Sequence, residues 1–342
     1  MVNNGRHRFD RVLGLALGLL GFTSVFLGVV PSPAFAAAGS WSPATDVATG
    51  LSGMYDVDPQ VAFDADGRAV AVWSLDNGSD IIVQSSSSSD GGVNWSTPVD
   101  VSATGFSGNS PQIVVDAEGT VYAIWFLYDG SNFIVQSSSS SDGGLTWSPP
   151  VDVSAAGGGA FRPQIGVDAA GTVYAVWSRY DGSNYIVQAS SSSDGGLNWS
   201  TPENVSATGG DAFSSQISVD AAGTVYAIWN HYDGSNNIVQ SSSSSDGGLT
   251  WSTPVDLSAT GGNANGPQVT IDAQGTAIAI WYRYDLITNV VIQTSTTAVP
   301  SLPNTGTSDV MTNTTLAVGS GLLAIGALTV AVLRRVPKAR RQ

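Results

Sequence analysis

The chain contains no cysteine, which excludes disulfides, thiolate metal sites and a cysteine nucleophile. In an exported protein that absence leaves stability to packing alone. Charge is scarce as well: Asp, Glu, Lys and Arg make up only 11% of the 342 residues. Positive charge is scarcest in the middle of the chain. Arg6, Arg8, Arg11, Arg334, Arg335, Lys338, Arg340 and Arg341 lie near the two ends, and between residues 37 and 305 only Arg68, Arg162, Arg179 and Arg283 remain. The body is therefore more acidic than the formal charge of −15 suggests, and it should repel nucleic acid. Glutamate is limited there to Glu118 and Glu203, and histidine to His231. Asp64 to Gly67 and Asp76 to Asp80 offer oxygen atoms without the spacing of an EF-hand loop, so turn chemistry explains them and no metal or cofactor is called for.

What the chain has instead is apolar residues, at 42%, and a repeat. The stretch SSDGGLTW, Ser244 to Trp251, recurs in near-copies whose aspartates are Asp90, Asp142, Asp194 and Asp246, evenly spaced at 52 residues. A fixed interval of this length signals a repeat architecture. Gly247 and Gly248 permit the positive φ of a short loop between two strands. Asp246 can close that loop on its own amides, and Trp251 opens the next strand with a large apolar surface to bury. The four aspartates are accordingly read as structural, not catalytic.

The ten tryptophans fall into two series: Trp73, Trp125, Trp177, Trp229 and Trp281, and Trp41, Trp95, Trp147, Trp199 and Trp251. Five of each predicts five copies of one unit. A unit reads PQIVVDAEG, TVYAIWFLYDG, SNFIVQSSSSSDGG and WSTPVDVS or its equivalent, four short phrases rich in β-branched and aromatic residues and bounded by Gly, Pro, Asn or Asp. Four strands per unit follow. In TVYAIW both strand faces are apolar, as stacked sheets require. Serine runs such as Ser241 to Ser245 keep a fixed place before the SSDGG loop, so they are expected to be strand, with small residues where units pack closely.

These copies resemble the Asp-box, or BNR repeat, of sialidase-like β-propellers, in which the box forms the hairpin between the third and fourth strands of a blade. The resemblance implies an all-β fold, a five-bladed β-propeller of four-stranded blades over residues 37–297. The repeats open with a WSxP strand at Trp41 and end with IQTSTT at Thr297. The N-terminal strand is therefore expected to complete the blade made by residues 267–297 and close the circle, leaving no open sheet edge.

The two ends of the chain carry addresses. Basic residues, an apolar run from Val12 to Val30 and Ala34-Phe35-Ala36 read as a secretory signal peptide over residues 1–36. After a short linker beginning at Ala298 come Leu302, Pro303, Asn304, Thr305 and Gly306, then an apolar segment from Leu316 to Leu333 and a basic tail. That segment is long enough for a transmembrane helix, with the tail on the cytoplasmic side. LPNTG, span and tail together resemble the cell-wall sorting signal of Gram-positive surface proteins. The resemblance implies a sortase partner that cleaves between Thr305 and Gly306 and joins Thr305 to peptidoglycan, after transient anchoring of residues 307–342 in the membrane.

In a propeller with this strand order, the loops after the fourth strand and the turns after the second share one face, opposite the Asp-boxes. The units differ there. One position reads Leu75, Leu127, Arg179, His231 and Arg283, with Tyr128, Tyr180, Tyr232 and Tyr284 beside it in the last four units, and Phe161 with Arg162 lies in the preceding loop of the third. Aromatic and Arg side chains suit a sugar ligand. Arg162, Arg179, His231, Arg283 and the four tyrosines are therefore the candidate ligand-binding residues.

Sialidases of this resemblance use three arginines, a Tyr with a Glu, and an Asp. Glu118 belongs to a turn on the opposite face and Glu203 to an outer strand, so no catalytic residue is named. Asp129, Asp181 and Asp233 occupy equivalent turns and should be spread apart, not paired as hydrolysis of a glycoside requires. The expected function is a wall-anchored extracellular binding or adhesion module, with carbohydrate as its ligand. The alternative is an exo-acting, sialidase-like glycoside hydrolase.

Overall fold

The computed structural model describes residues 43–49, 57–272, 274–284 and 290–297. Five antiparallel sheets follow one another along the described chain, each built from consecutive strands. The first comprises β1 (Gln60–Phe63), β2 (Ala69–Asp76), β3 (Ile81–Ser88) and β4 (Val99–Asp100). The second comprises β5 (Ser107–Val115), β6 (Val121–Tyr128), β7 (Phe133–Ser140) and β8 (Val151–Asp152). The third comprises β9 (Ala160–Val167), β10 (Val173–Tyr180), β11 (Tyr185–Ser192) and β12 (Glu203–Asn204). The fourth comprises β13 (Ala212–Val219), β14 (Val225–Tyr232), β15 (Asn237–Ser244) and β16 (Val255–Asp256). The fifth has three strands among the described residues, β17 (Ala264–Ile271), β18 (Ala277–Tyr284) and β19 (Val290–Thr296). No helix occurs among the described residues.

Neighbouring sheets bury one another's faces. Ile124 and Val135 of the second sheet pack against Trp177 and Ala175 of the third, and the same positions repeat as Ile228 and Val239 against Trp281 and Ala279. This is why the second strand of each unit is apolar on both sides: Trp125, Trp177 and Trp229 are fully buried on one face, Ile124 and Ile228 on the other. Burying such side chains contributes about 1.5–3 kcal/mol each.

The turns are built as the residue types dictate. Asp116 accepts from the amides of Glu118 and Thr120 and from the Tyr122 hydroxyl, at 3.0, 2.8 and 2.9 Å. In the Asp-box, Asp90 accepts from the Val93 and Asn94 amides at 3.0 and 2.9 Å and from the Ser88 hydroxyl at 2.8 Å. Gly144 adopts φ +85, and a Cβ there would meet Val70 of the neighbouring sheet at 2.7 Å, so only glycine fits. The serine runs form the third strands. Ser138 donates to the Ser148 carbonyl at 2.7 Å, while Ser148 accepts from the Ser139 amide at 3.0 Å.

Two expectations change in detail. The WSxP phrases contribute only two-residue strands such as Val255–Asp256, because the indole ahead of them folds into the interface between sheets instead of extending the ladder. Trp147 donates to Ser85 at 2.8 Å and Trp199 to Ser137 at 3.0 Å, each on the preceding sheet. Residues 43–49 carry no strand, so the described residues do not show the fifth sheet completed by the N-terminal segment. At the two ends of the series, Ile280 is 45% exposed where Ile124 and Ile228 are 0% and 1%, and Val61 is 46% exposed where Ile113 is 4%. Trp95, in the first sheet, donates to the carbonyl of its own Gly92 at 3.1 Å. Trp41, the signal peptide, the LPNTG motif and the apolar C-terminal segment lie outside the described residues.

Candidate functional site

In the second to fifth sheets the loop preceding the first strand folds into that strand more fully than its sequence suggests. Phe161 and Arg162 belong to β9 itself. Arg162 sits at a bulge where the register to β10 shifts, with φ 51. Asp58, Ser110 and Ser214 occupy the same position in other units with φ 42, 49 and 54, and Gly266 in the fifth with φ 63. Four non-glycine residues thus share a conformation that L-residues rarely adopt. Two of these side chains meet between adjacent sheets, the Ser110 hydroxyl donating to the Asp58 carboxylate at 2.9 Å.

Beside this line of bulges runs a row of aromatic side chains across the second and third sheets. Tyr128 and Phe133 are cross-strand partners in β6 and β7, with ring centroids 5.2 Å apart. Phe133 lies 4.8 Å from Phe161, Phe161 lies 6.1 Å from Tyr185, and Tyr185 lies 5.4 Å from its partner Tyr180. Phe126 supports the row from beneath, 5.9 Å from Phe133 and 5.8 Å from Phe161. Tyr128 and Tyr180 are 43% and 41% exposed. Their hydroxyls donate to the carbonyls of Gly130 and Gly182, both at 3.0 Å, which holds the rings in place with part of each open to solvent.

The expected ligand-binding residues separate into three groups. Tyr128, Tyr180 and Arg162 belong to the row or its edge. Arg179 and Arg283 turn onto their own loops, donating to the carbonyls of Gly157 at 2.6 Å and Thr260 at 3.4 Å. His231 occupies the equivalent place against Gly210, where a Cβ would meet its ring at 2.6 Å, but its Nδ1 is buried without a hydrogen-bond partner. Tyr232 and Tyr284 are exposed but belong to the fourth and fifth sheets, and none of the ring contacts among the described residues joins them to the row. Phe133 and Tyr185 were not singled out by the sequence. They occupy the first position of the third strand, which reads Ile81, Phe133, Tyr185 and Asn237 in the first four units. That position varies as freely as the ones chosen.

Asp129, Asp181 and Asp233 close their turns. Each accepts from the amides two and three residues on, as Asp129 does from Ser131 and Asn132 at 2.8 and 2.7 Å. The Asn132, Asn184 and Asn236 amides, followed by those of Ser131, Ser183 and Ser235, hold these carboxyls below the usual carboxylate range. Groups kept ionised in this way are poor proton donors at neutral pH. Among the described residues no cluster of three or more His, Asp or Glu side chains could hold a metal.

A family model described as a BNR repeat-like domain matches residues 35–280. The chain belongs to the BNR repeat-like domain family. Its sheets are those of a sialidase-like BNR β-propeller, whose fold it shares with two solved structures. One is a Dyadobacter fermentans protein of unknown function, with 16% identity over 70% of this chain and 78% of that one and a TM-score of 0.52. The other is a Hadza microbial sialidase, with 15% identity over 70% of this chain and a TM-score of 0.50. This BNR repeat protein spans 55% of that sialidase's length. No curated protein matches the sequence.

Proposed function

We propose that this BNR repeat protein is an exported, wall-linked binding module whose ligand is a glycan and whose binding surface is the aromatic row of the second and third sheets. The observation that carries the reading is the run Tyr128, Phe133, Phe161, Tyr185, Tyr180, with successive centroids 4.8 to 6.1 Å apart and its outer rings exposed. Sugar rings present apolar C–H faces that stack on such a row, and each aromatic contact contributes about 0.5–1.5 kcal/mol. Arg162, exposed at the row's inner edge, supplies the polar anchor that fixes orientation. Many wall-linked copies would raise weak single-site affinity through avidity.

In the same reading, residues 1–36 are a cleaved signal peptide and residues 37–297 a five-bladed propeller. LPNTG is the sortase site that links Thr305 to peptidoglycan, and residues 307–342 are the membrane segment left behind. Closure of the fifth sheet on the first is supported by their exposed faces, Ile280 and Val61, whose counterparts Ile124, Ile228 and Ile113 lie buried between neighbouring sheets. A glycan array probed with the intact protein tests the ligand class, and an array without a single bound glycan refutes it. A second reading, glycoside hydrolysis, is favoured by the shared fold of the Hadza microbial sialidase. Release of sialic acid or reducing sugar by the pure protein would establish it over the first.

A further inference from the structure

Between the fourth and fifth sheets lies a cleft of about 350 Å³ lined by Tyr226, Ser241, Val269, Ala277 and Thr296 among others. Its lining matches, one repeat further along, the surroundings of Trp251 between the third and fourth sheets. Trp251 packs against Tyr174, Ile217, Val225 and Ala189, and Tyr226, Val269, Ala277 and Ser241 are the residues that follow each of these by one repeat interval. Trp147 and Trp199 fill the same place at the two preceding interfaces, each donating to a serine at the position of Ser241. The cleft thus has the shape and the acceptor of an indole slot. The fifth unit has no tryptophan after β19 to fill it.

We infer that Trp41 of the same chain occupies this cleft, with its indole N–H donating to the Ser241 hydroxyl. Trp41 is the one tryptophan of its series outside the described residues, and it precedes Ser42 and Pro43 as Trp147 precedes Ser148 and Pro149. The described residues begin at Pro43, with Val47 half-buried at the position of Val101 and Val153. The slot assignment rests on the closed five-bladed reading and adds to it the contact that locks the fifth sheet to the fourth.

Because the chain has no native cysteine, the two claims can be tested separately in the full chain. Thr45→Cys with Thr294→Cys probes strand pairing, since in the closed ring those positions would face each other as Val99 faces Ser85. Trp41→Phe, Ser241→Ala and the double variant probe the slot by a thermodynamic cycle, because Phe keeps an aromatic ring there without the donor, and the packing it loses cancels between the two arms of the cycle. The expected result is an intramolecular disulfide in the first pair. In the cycle, each single change should lower the folding equilibrium constant at least about fivefold, with the double variant losing clearly less than the two single losses combined. Additive losses with the disulfide formed would overturn the slot and leave closure standing. Absence of both disulfide and coupling would overturn both. A disulfide that joins two chains would assign the cleft to a second copy instead.

Discussion

Trp147 donates its indole N–H to Ser85 at 2.8 Å across the boundary between two sheets, whereas Trp251 at the equivalent place faces Ala189 and its N–H is buried without a partner. The chain therefore carries its own control for this contact. Ala189→Ser should restore the acceptor with little change in volume and raise stability by about 1 kcal/mol, while Ser85→Ala should lower it by a similar amount. Urea unfolding of the two variants measures both. A destabilised Ala189→Ser variant would show that the indole slots are too tight to admit a hydroxyl.

The Asp-boxes predict how the fold responds to acid. The Thr250 hydroxyl and amide, then the Ser244 hydroxyl, hold the Asp246 carboxyl at about 2, and the Asn94 amide and side chain do the same for Asp90. A carboxyl whose pKa is depressed by folding adds stability that is fully present above its unfolded value of about 3.9. That stability is lost as pH falls through the folded value. Melting temperature should therefore drop between about pH 4 and pH 2, and Asp246→Asn should flatten that fall. An unchanged slope in the variant would mean that the loop is not held by the ionised carboxylate.

Arg162 sets stability against binding. Its φ of 51 costs an L-residue roughly 1–2 kcal/mol, and glycine removes that cost while adding about 0.5–1 kcal/mol of chain entropy. Arg162→Gly should thus fold at least as stably as wild type, with a net gain of up to about 1.5 kcal/mol, yet bind glycan more weakly. A loss of stability by calorimetry would show that the arginine is a structural tie.

Much of this architecture is legible in the sequence because the repeat forces it. The tryptophan series, the SSDGG loops and the doubly apolar TVYAIW strands each admit one physical reading, and the five sheets follow from them. The site is less legible. Phe133 and Phe161 are 28 positions apart and belong to different sheets, so nothing in the sequence states that their rings lie 4.8 Å apart. Arg179 and Arg283 mislead for a related reason. A guanidinium at the end of a strand looks free until the carbonyls of Gly157 and Thr260, more than twenty residues earlier, are seen beneath it.

The address carried by the C-terminal end has its own test. Thr305→Ala should leave the protein in the membrane fraction or shed it, whereas the native chain should require wall-digesting enzymes for its release. Complete extraction of the native chain by detergent alone would contradict wall linkage.

The most direct test of glycan binding on the aromatic row is a calorimetric titration with a glycan identified on the array. It compares a Tyr128→Ala, Tyr180→Ala variant with a Tyr232→Ala, Tyr284→Ala variant. The row predicts that the first pair weakens binding by about 2- to 12-fold for each ring lost, from about 0.5–1.5 kcal/mol per contact, and that the second pair leaves it unchanged. Equal losses in both pairs, or no loss in the first, would contradict the assignment of the site to the second and third sheets.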